Sequence, residues 1–303
     1  MEHRLANIRK RIKKIDWRIL VIFIPGLFFV SLFTFYPIFK MIIMSFFDWK
    51  IGYQQTSPFV GLENYTNVLA DPIARVAITN TLLYAIVTVP LQMIFGLLIA
   101  VLINGITKFS VHFRLAYYLP VITSWVIVAL LFRYIFSNYG LLNYFISETL
   151  HLTGEPIGWL SSRFSALFTA MLLGIWKGIG WNMIIFLAAL QAVSKDQYEA
   201  ADMDGANRRQ KFFNITIPGI KGTLLFALIM LTIGAFNTYT PIVVLTGGNP
   251  FHQTEVVLTW MYFQTFDALK MGYSAALSVI VAIMIMIITL IMFKFMKRSG
   301  DSA

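Results

Sequence analysis

Residues 198–218 read YEAADMDGANRRQKFFNITIP, a segment with three acids, three bases and a glycine near its middle. It lies between apolar runs at 166–190 and 223–245, each long enough to cross about 30 Å of hydrocarbon. A polar connector between two such runs has to sit on one side of a bilayer, and the side it takes orients the whole chain. Four further runs, at 19–39, 76–103, 115–136 and 272–295, bring the number to six. They lack the alternation of a barrel strand, and lipid does not tolerate unpaired backbone polar groups, so each is expected to be a helix. The expected fold class is all-α polytopic membrane protein with six transmembrane helices.

Composition agrees. Of 303 residues, 58% are hydrophobic and 13% charged, where a soluble domain carries roughly 25% charge, and the mean hydropathy is +0.73. The net charge of +10 is arranged by topology and does not point to nucleic acid. Arg4, Arg9, Lys10, Arg11, Lys13, Lys14 and Arg18 precede the first run, and further bases mark alternate ends or loops at Lys108 and Arg114, at Lys195 to Lys221, and at Lys294 to Arg298. The intervening loops hold Asp48, Glu63, Asp71, Glu148, Glu155, Glu255 and Asp267 and few bases. By the positive-inside rule both termini and the 198–218 connector face the cytoplasm. The tail NIRKRIKKIDWRIL at 7–20 suits a short amphipathic helix lying on anionic headgroups, with the lipid bilayer as its partner. The chain has no cysteine, which excludes disulfides and thiol chemistry, and its four histidines are isolated, so no catalytic or metal site is expected.

Within the runs, Pro25, Pro37, Pro90 and Pro120 mark expected kinks. Lys177 falls near the middle of the fourth run, where a charge costs at least about 2.5 kcal/mol, so it should face protein or water, as a helix contact or a pore group. Gly174, Gly178 and Trp181 share one helical face, which fits close helix packing or a recess walled by an aromatic; Asn182 follows directly. In GAFNTYTP at 234–241, Asn237, Thr238, Tyr239 and Thr240 stand at mid-membrane beside Pro241. Such groups line a cavity or pair across helices, and aromatic planes with amides and hydroxyls suit a sugar. Arg133, near an outer end, is expected to snorkel.

In the connector, Ser194 and Gln197 fit a capping box opening a helix through Asp202, with Ala200 and Ala201 leaving a slim face. Gly205 permits a left-handed turn, a second short helix follows over 206–214, and Ile217 and Pro218 are expected to end it. The spacing EAA, three residues, Gly205, nine residues, Ile215, one residue, Ile217 and Pro218 resembles the EAA signature of permease subunits of ATP-binding cassette importers, departing in Ile217 for the usual leucine. SFFDW at 45–49, FVGLENY at 59–65, IWKGIGWNM at 175–183 and VLTGG at 244–248 are similar to the carbohydrate-uptake branch of type I importers.

That resemblance implies a cytoplasmic tail at 1–18, a first helix and outward loop at 19–75, a permease core at 76–295 containing the coupling loop 194–221, and a tail at 296–303. It implies a bacterial or archaeal cytoplasmic membrane, a second homologous permease subunit paired with this one as a heterodimer, a dimeric ATPase that binds ATP and Mg, an extracytoplasmic solute-binding protein, and as substrate a sugar, whether a mono- or oligosaccharide or a sugar-like polyol or glycerol phosphate. Glu199, Ala200, Ala201, Asp204, Gly205 and Ala206 would then contact the ATPase, and Lys177, Gly178, Trp181, Asn182, Asn237, Thr238 and Tyr239 would line the substrate pathway. The chain itself carries no phosphate-binding G-x-x-x-x-G-K-[ST] loop, so it needs no cofactor of its own and is not expected to be an enzyme. An ion-coupled secondary transporter is the alternative; it would place carboxylates inside the membrane, whereas all fourteen acids fall in loops, tails or helix ends.

Overall fold

The computed structural model describes residues 17–50, 57–106 and 108–298. Most of the basic tail at 1–18, including the expected headgroup helix up to residue 16, lies outside the described residues, as do residues 299–303 of the C-terminal tail. The chain divides into two compact units, Met1–Val68 with Leu269–Val279, and Leu69–Ala268 with Ile280–Ala303.

In the first unit, helix α1 (Val21–Met44) is mostly apolar, with Lys40 its one charge, and passes through Pro25; it widens into a π-helical turn at Ser31–Phe35, just upstream of Pro37, whose missing amide interrupts the i to i−4 ladder. Two of the quoted motifs are knitted together where α1 ends. The Asp48 amide donates to the Pro58 carbonyl at 3.0 Å and the Val60 amide to the Phe46 carbonyl at 2.9 Å. Asn64, on α2 (Glu63–Ala70), donates through Nδ2 to the carbonyls of Ser45 and Phe47, both at 2.9 Å. These are backbone acceptors with no strand partner, so the asparagine supplies the donors that buried carbonyls need.

In the second unit, the Asp71 side chain accepts from the Ile73 amide and caps α3 (Pro72–Asn104). Pro72 stands at the first helical position, where its lack of an N–H is harmless. At 33 residues α3 is about 50 Å long. Next come α4 (Ser110–Ile122) and α5 (Trp125–Ile135), bent by 92°, and α6 (Arg163–Ala192), capped by Ser162. The connector holds α7 (Lys195–Met203) and α8 (Arg208–Gly219), and α9 (Lys221–Phe236), α10 (Thr240–Leu245) and α11 (Val257–Tyr262) follow. The last helix, α12 (Met271–Arg298), runs through both units. An apolar cluster from α3, α6 and α9, with Ile103, Phe186, Leu190 and Ala227 at its centre, packs the connector end of the bundle.

Among the described residues, α1, α3, α6 and α12 are single helices long and apolar enough to span a membrane; α4 with α5 and α8 with α9 are bent pairs, giving four to six spans. Two continuous spans expected from the sequence are therefore broken. The run at 115–136 divides at Thr123 and Ser124, both extended. The run at 223–245 stops at Phe236 and resumes at Thr240. The second connector helix is also longer than expected. It begins at Arg208, where Asn207 and Gln210 form a reciprocal capping box, and continues past Pro218 to Gly219 before bending 67° into α9. Pro218 does not end it, because Ile217–Gly219 starts a helical turn after the π-helical stretch Phe212–Thr216, and a proline in a first turn costs no internal bond.

Candidate functional site

Close approach of α3 and α6 is set by glycines. An added Cβ on Gly96 would stand 2.6 Å from Asn182 Cβ, and one on Gly174 would stand 2.1 Å from the Tyr84 hydroxyl oxygen. On Gly178 it would stand 1.9 Å from Gln92 Oε1. In lipid there is little hydrophobic drive between helices, so small residues that admit a partner's side chains carry much of the association. Both readings of the Gly174 face hold here: the glycines pack α3 against α6, and the side chains seated over them border a cavity of about 590 Å³.

That cavity takes Tyr84, Thr88 and Gln92 from α3 and Trp125 from the start of α5. Helix α6 adds Gly174, Lys177, Gly178 and Trp181, and the break after α9 adds Asn237, Thr238, Tyr239 and Thr240. Gln92 lies 20 residues into α3, and Lys177 lies 14 residues into the 30 of α6, so the cavity sits near mid-length of both. The Tyr84 hydroxyl lies close to the Thr238 side chain. Asn237 Nδ2 folds back on the Ile233 carbonyl at 2.9 Å, and the Tyr239 ring packs on Tyr262 at 5.3 Å. Of the pathway residues expected from the sequence, Asn182 does not border the cavity. It is fully buried, donates to the Gly178 carbonyl at 2.9 Å and faces α3 at Gly96. Tyr84, Thr88, Gln92 and Trp125 were not among the expected pathway residues, although the i, i+4, i+8 spacing of Tyr84, Thr88 and Gln92 draws one polar stripe down an apolar run.

Lys177 borders the cavity with its stem and spends its charge elsewhere. Its Nζ donates to the carbonyls of Pro120 at 2.6 Å, Val121 at 3.2 Å and Thr123 at 2.6 Å. An ammonium has three N–H bonds, and all three go to the end of α4. The Trp125 ring stands 4.9 Å from the same nitrogen. Sequence and tertiary contact together explain the break in the third span: Thr123 and Ser124 leave the helix, and the carbonyls orphaned at its C-terminus, the negative pole of its dipole, are satisfied by a cation from α6. The Thr123 hydroxyl adds a bond to the Pro120 carbonyl at 2.6 Å.

At the end of α3 opposite the connector, a second network holds the segment that joins α10 to α11. Asn80 Nδ2 donates to the carbonyls of Gln253 at 2.8 Å and Glu255 at 2.7 Å, while its Oδ1 accepts from Arg163 Nε at 2.9 Å. The Val257 amide donates to Thr81 Oγ1 and the Trp260 indole to Asp71 Oδ2. Glu255, buried, meets His252 Nδ1 at 2.9 Å and accepts from the Thr259 hydroxyl. Gly247 and Gly248 take φ of 60° and 86°, the left-handed region that turns the chain at the end of α10. Arg133 is exposed, as a snorkelling side chain would be, and also donates to the Val244 carbonyl at 3.3 Å.

In the connector, Ser194 caps α7 by accepting from the Asp196 amide at 3.2 Å, so the cap bond is local and does not use Gln197. The far end closes as expected. The Ala206 amide donates to the Ala201 carbonyl at 2.9 Å and the Gly205 amide to the Asp202 carbonyl at 3.1 Å, the paired bonds of a Schellman turn, with Gly205 at φ +74°. Two side-chain straps hold α7 to α8: Asp202 Oδ1 with Lys211 Nζ at 2.6 Å, and the Tyr198 hydroxyl with Thr216 Oγ1 at 2.9 Å. Glu199, Ala200, Asp204 and Gly205 are exposed, Ala201 and Ala206 half-buried, and Met203 is 90% exposed. The loop thus presents a preformed apolar and acidic tip, continuous with α6 on one side and α8 and α9 on the other.

Membrane-length helices around a mid-depth cavity, joined to a rigid exposed helix-turn-helix, define a polytopic membrane transport protein. The chain belongs to the family of binding-protein-dependent transport system inner membrane components, whose model matches residues 73–300. It is 32% identical over 281 residues to the probable ABC transporter permease protein YurN of Bacillus subtilis (strain 168), covering 92% of this chain and 95% of that one. It is 35% identical over 270 residues to the arabinooligosaccharides transport system permease protein AraP of the same organism, covering 86% and 83%. Among solved structures, a bacterial ABC transporter involved in the import of the acidic polysaccharide alginate has a chain with the same fold, with TM-score 0.80 and 23% identity over 97% of this chain and 99% of that one.

Proposed function

We propose that this chain is the permease subunit of an ATP-driven importer that carries a sugar into the cell across the cytoplasmic membrane. Its termini and the 194–221 loop face the cytoplasm; a second homologous permease completes the pathway, and a dimeric ATPase that binds ATP and Mg docks on α7. A solute-binding protein delivers the sugar from outside, so the chain itself performs no hydrolysis. Family membership and the name of the AraP relative support the class of substrate. The cavity supports it independently, because Trp125, Trp181 and Tyr239 offer ring faces beside amide and hydroxyl groups.

The observation that carries the reading is the connector. A loop whose only task was to join two spans would not need a Schellman turn, an ion pair and a hydroxyl pair to hold an exposed tip in one shape. In this reading Ala200 and Ala201 provide the close-contact face, Glu199 and Asp204 the polar edge, Gly205 the turn and Ala206 the start of the return. Because the chain has no cysteine, single thiols placed by Ala201→Cys and, separately, Ala206→Cys can be crosslinked in membranes to thiols in the cleft of the co-expressed ATPase. Specific crosslinks that change with ATP are expected. Thiols that react freely with soluble reagents and never reach an ATPase shown to be present and folded would sink the proposal.

A further inference from the structure

We propose that the mid-depth cavity admits uncharged, polyhydroxylated solutes, and that Gln92 is the side chain that reads them. For what passes through the cavity this rests on the importer reading; for what the cavity prefers it stands on the geometry alone. Gln92 is more than nine-tenths buried within the bundle, borders the cavity and finds no hydrogen-bond partner among the described residues. A buried amide with two donors and an acceptor left open is costly unless something in the cavity satisfies it. Gly178 holds it there, since its lack of a Cβ is what leaves room for the Gln92 amide.

The other polar heads around the cavity sort into spent and open. Spent are Lys177 on three carbonyls, Asn237 on the Ile233 carbonyl and Thr88 on the Tyr84 carbonyl, while the Tyr84 hydroxyl and the Thr238 side chain lie close to each other. Open beside the Gln92 amide are the Trp181 indole and the hydroxyls of Tyr239 and Thr240, all neutral. Among the described lining residues no carboxylate occurs, and the one cation has no N–H left to give an anion. Its field is partly offset by the negative pole of α4, on which it sits. A carboxylate or phosphate entering this space would leave water without a charged donor to replace it, whereas sugar hydroxyls can both donate to and accept from an amide.

Two arms test this. In the first, a thiol is placed on the cavity wall by Gly234→Cys, where a Cβ meets nothing within 4 Å, and the full chain in membrane fragments is treated with hydroxyethyl, sulfonatoethyl and trimethylammonioethyl methanethiosulfonate. With each rate divided by that of a free thiol in solution, the neutral reagent is expected to react fastest. An anionic reagent favoured tenfold or more over the neutral one overturns the proposal, and so does a thiol that none of the three reaches. In the second, cells carrying the whole transporter receive neutral oligosaccharides mixed with uronic-acid oligosaccharides, and their contents are read by mass spectrometry. Neutral oligosaccharides alone should accumulate, and Gln92→Met should raise the apparent KM tenfold or more with a much smaller change in maximal rate. Uronates accumulating as well as neutral sugars would overturn the neutral class while leaving the importer reading intact. Uptake of neither sugar, with an amino acid or ion accumulating instead, would defeat the importer reading, and the thiol rates would still decide what the cavity prefers.

Discussion

Replacing Lys177 by methionine removes a cation from mid-membrane and three donors from the end of α4. The lost bonds, to Pro120, Val121 and Thr123, are of the charge-assisted kind worth roughly 1.5–3 kcal/mol each, so together about 5–9 kcal/mol. Against this, the variant no longer has to hold a lysine in the membrane, which returns about 2.5–3.5 kcal/mol. The net is a loss of roughly 2–6 kcal/mol, felt at the 92° junction of α4 and α5. At about 2–4 °C per kcal/mol for a chain of this size, Lys177→Met should lower the unfolding temperature of the purified protein by on the order of 10 °C. Lys177→Gln, which keeps two donors without the charge, should fall between. Fluorescence-detected gel filtration after heating reads both. A Lys177→Met protein that unfolds within about 1 °C of the parent, yet no longer takes up solute, would refute the reasoning and make the lysine a ligand of something anionic.

Gly205 has open space around its Cβ position, so only its φ of +74° demands glycine. Uptake should therefore fall in the order Gly205→Asn, Gly205→Ala, Gly205→Val, with alanine costing the turn about 1–2 kcal/mol; a valine variant as active as the parent would show that the turn is dispensable. Asn80→Ala strips the donors from two carbonyls of the segment joining α10 to α11, a loss of about 1–3 kcal/mol. Amide exchange over 248–256 should quicken tenfold or more, and unchanged exchange would mean that Thr81 and Trp260 suffice to hold it.

The apolar runs, their helical nature and the connector were legible because each is a local matter of length and residue type. The EAA spacing even located the turn glycine to the residue. The two breaks were not legible in the same way. Pro120 and Pro241 mark their neighbourhoods, but proline alone does not stop a membrane helix: α3 continues through Pro90 and α1 through Pro25. What stabilises the break after Ile122 is a lysine more than fifty residues away that donates to the freed carbonyls. The same lack of phase information misplaced Asn182. Gly178 lies between two faces of α6, and Trp181 and Asn182 leave it on opposite sides, about 100° apart, one toward the cavity and the other toward α3. Gln92 carried a signal, the stripe from Tyr84 through Thr88, but a single glutamine in an apolar run reads as readily as a helix contact until the glycine opposite it is known.

The geometry also says where a movement of the connector would go. Helix α6 carries Trp181 11 residues, about 17 Å, from its end at Ala192, and α9 carries Gly234 13 residues, about 20 Å, from its start at Lys221. Each is unbroken over that distance, and the apolar cluster of Ile103, Phe186, Leu190 and Ala227 locks both to α3. Two breaks lie at cavity depth, after Ile122 and after Phe236, and α5 and α10 beyond them are tied to each other by Arg133 and Val244. If an ATPase pulls on α7, the load reaches the cavity through rigid rods and is absorbed at those two breaks, so the wall made by Trp181 and Gly234 shifts against the wall made by Trp125 and Thr240. A substitution that stiffens a break should then leave the cavity and the dock in place while slowing transport, which separates hinge from contact: removal of Gln92 raises KM, and restoration of a continuous helix across 237–239 lowers the maximal rate.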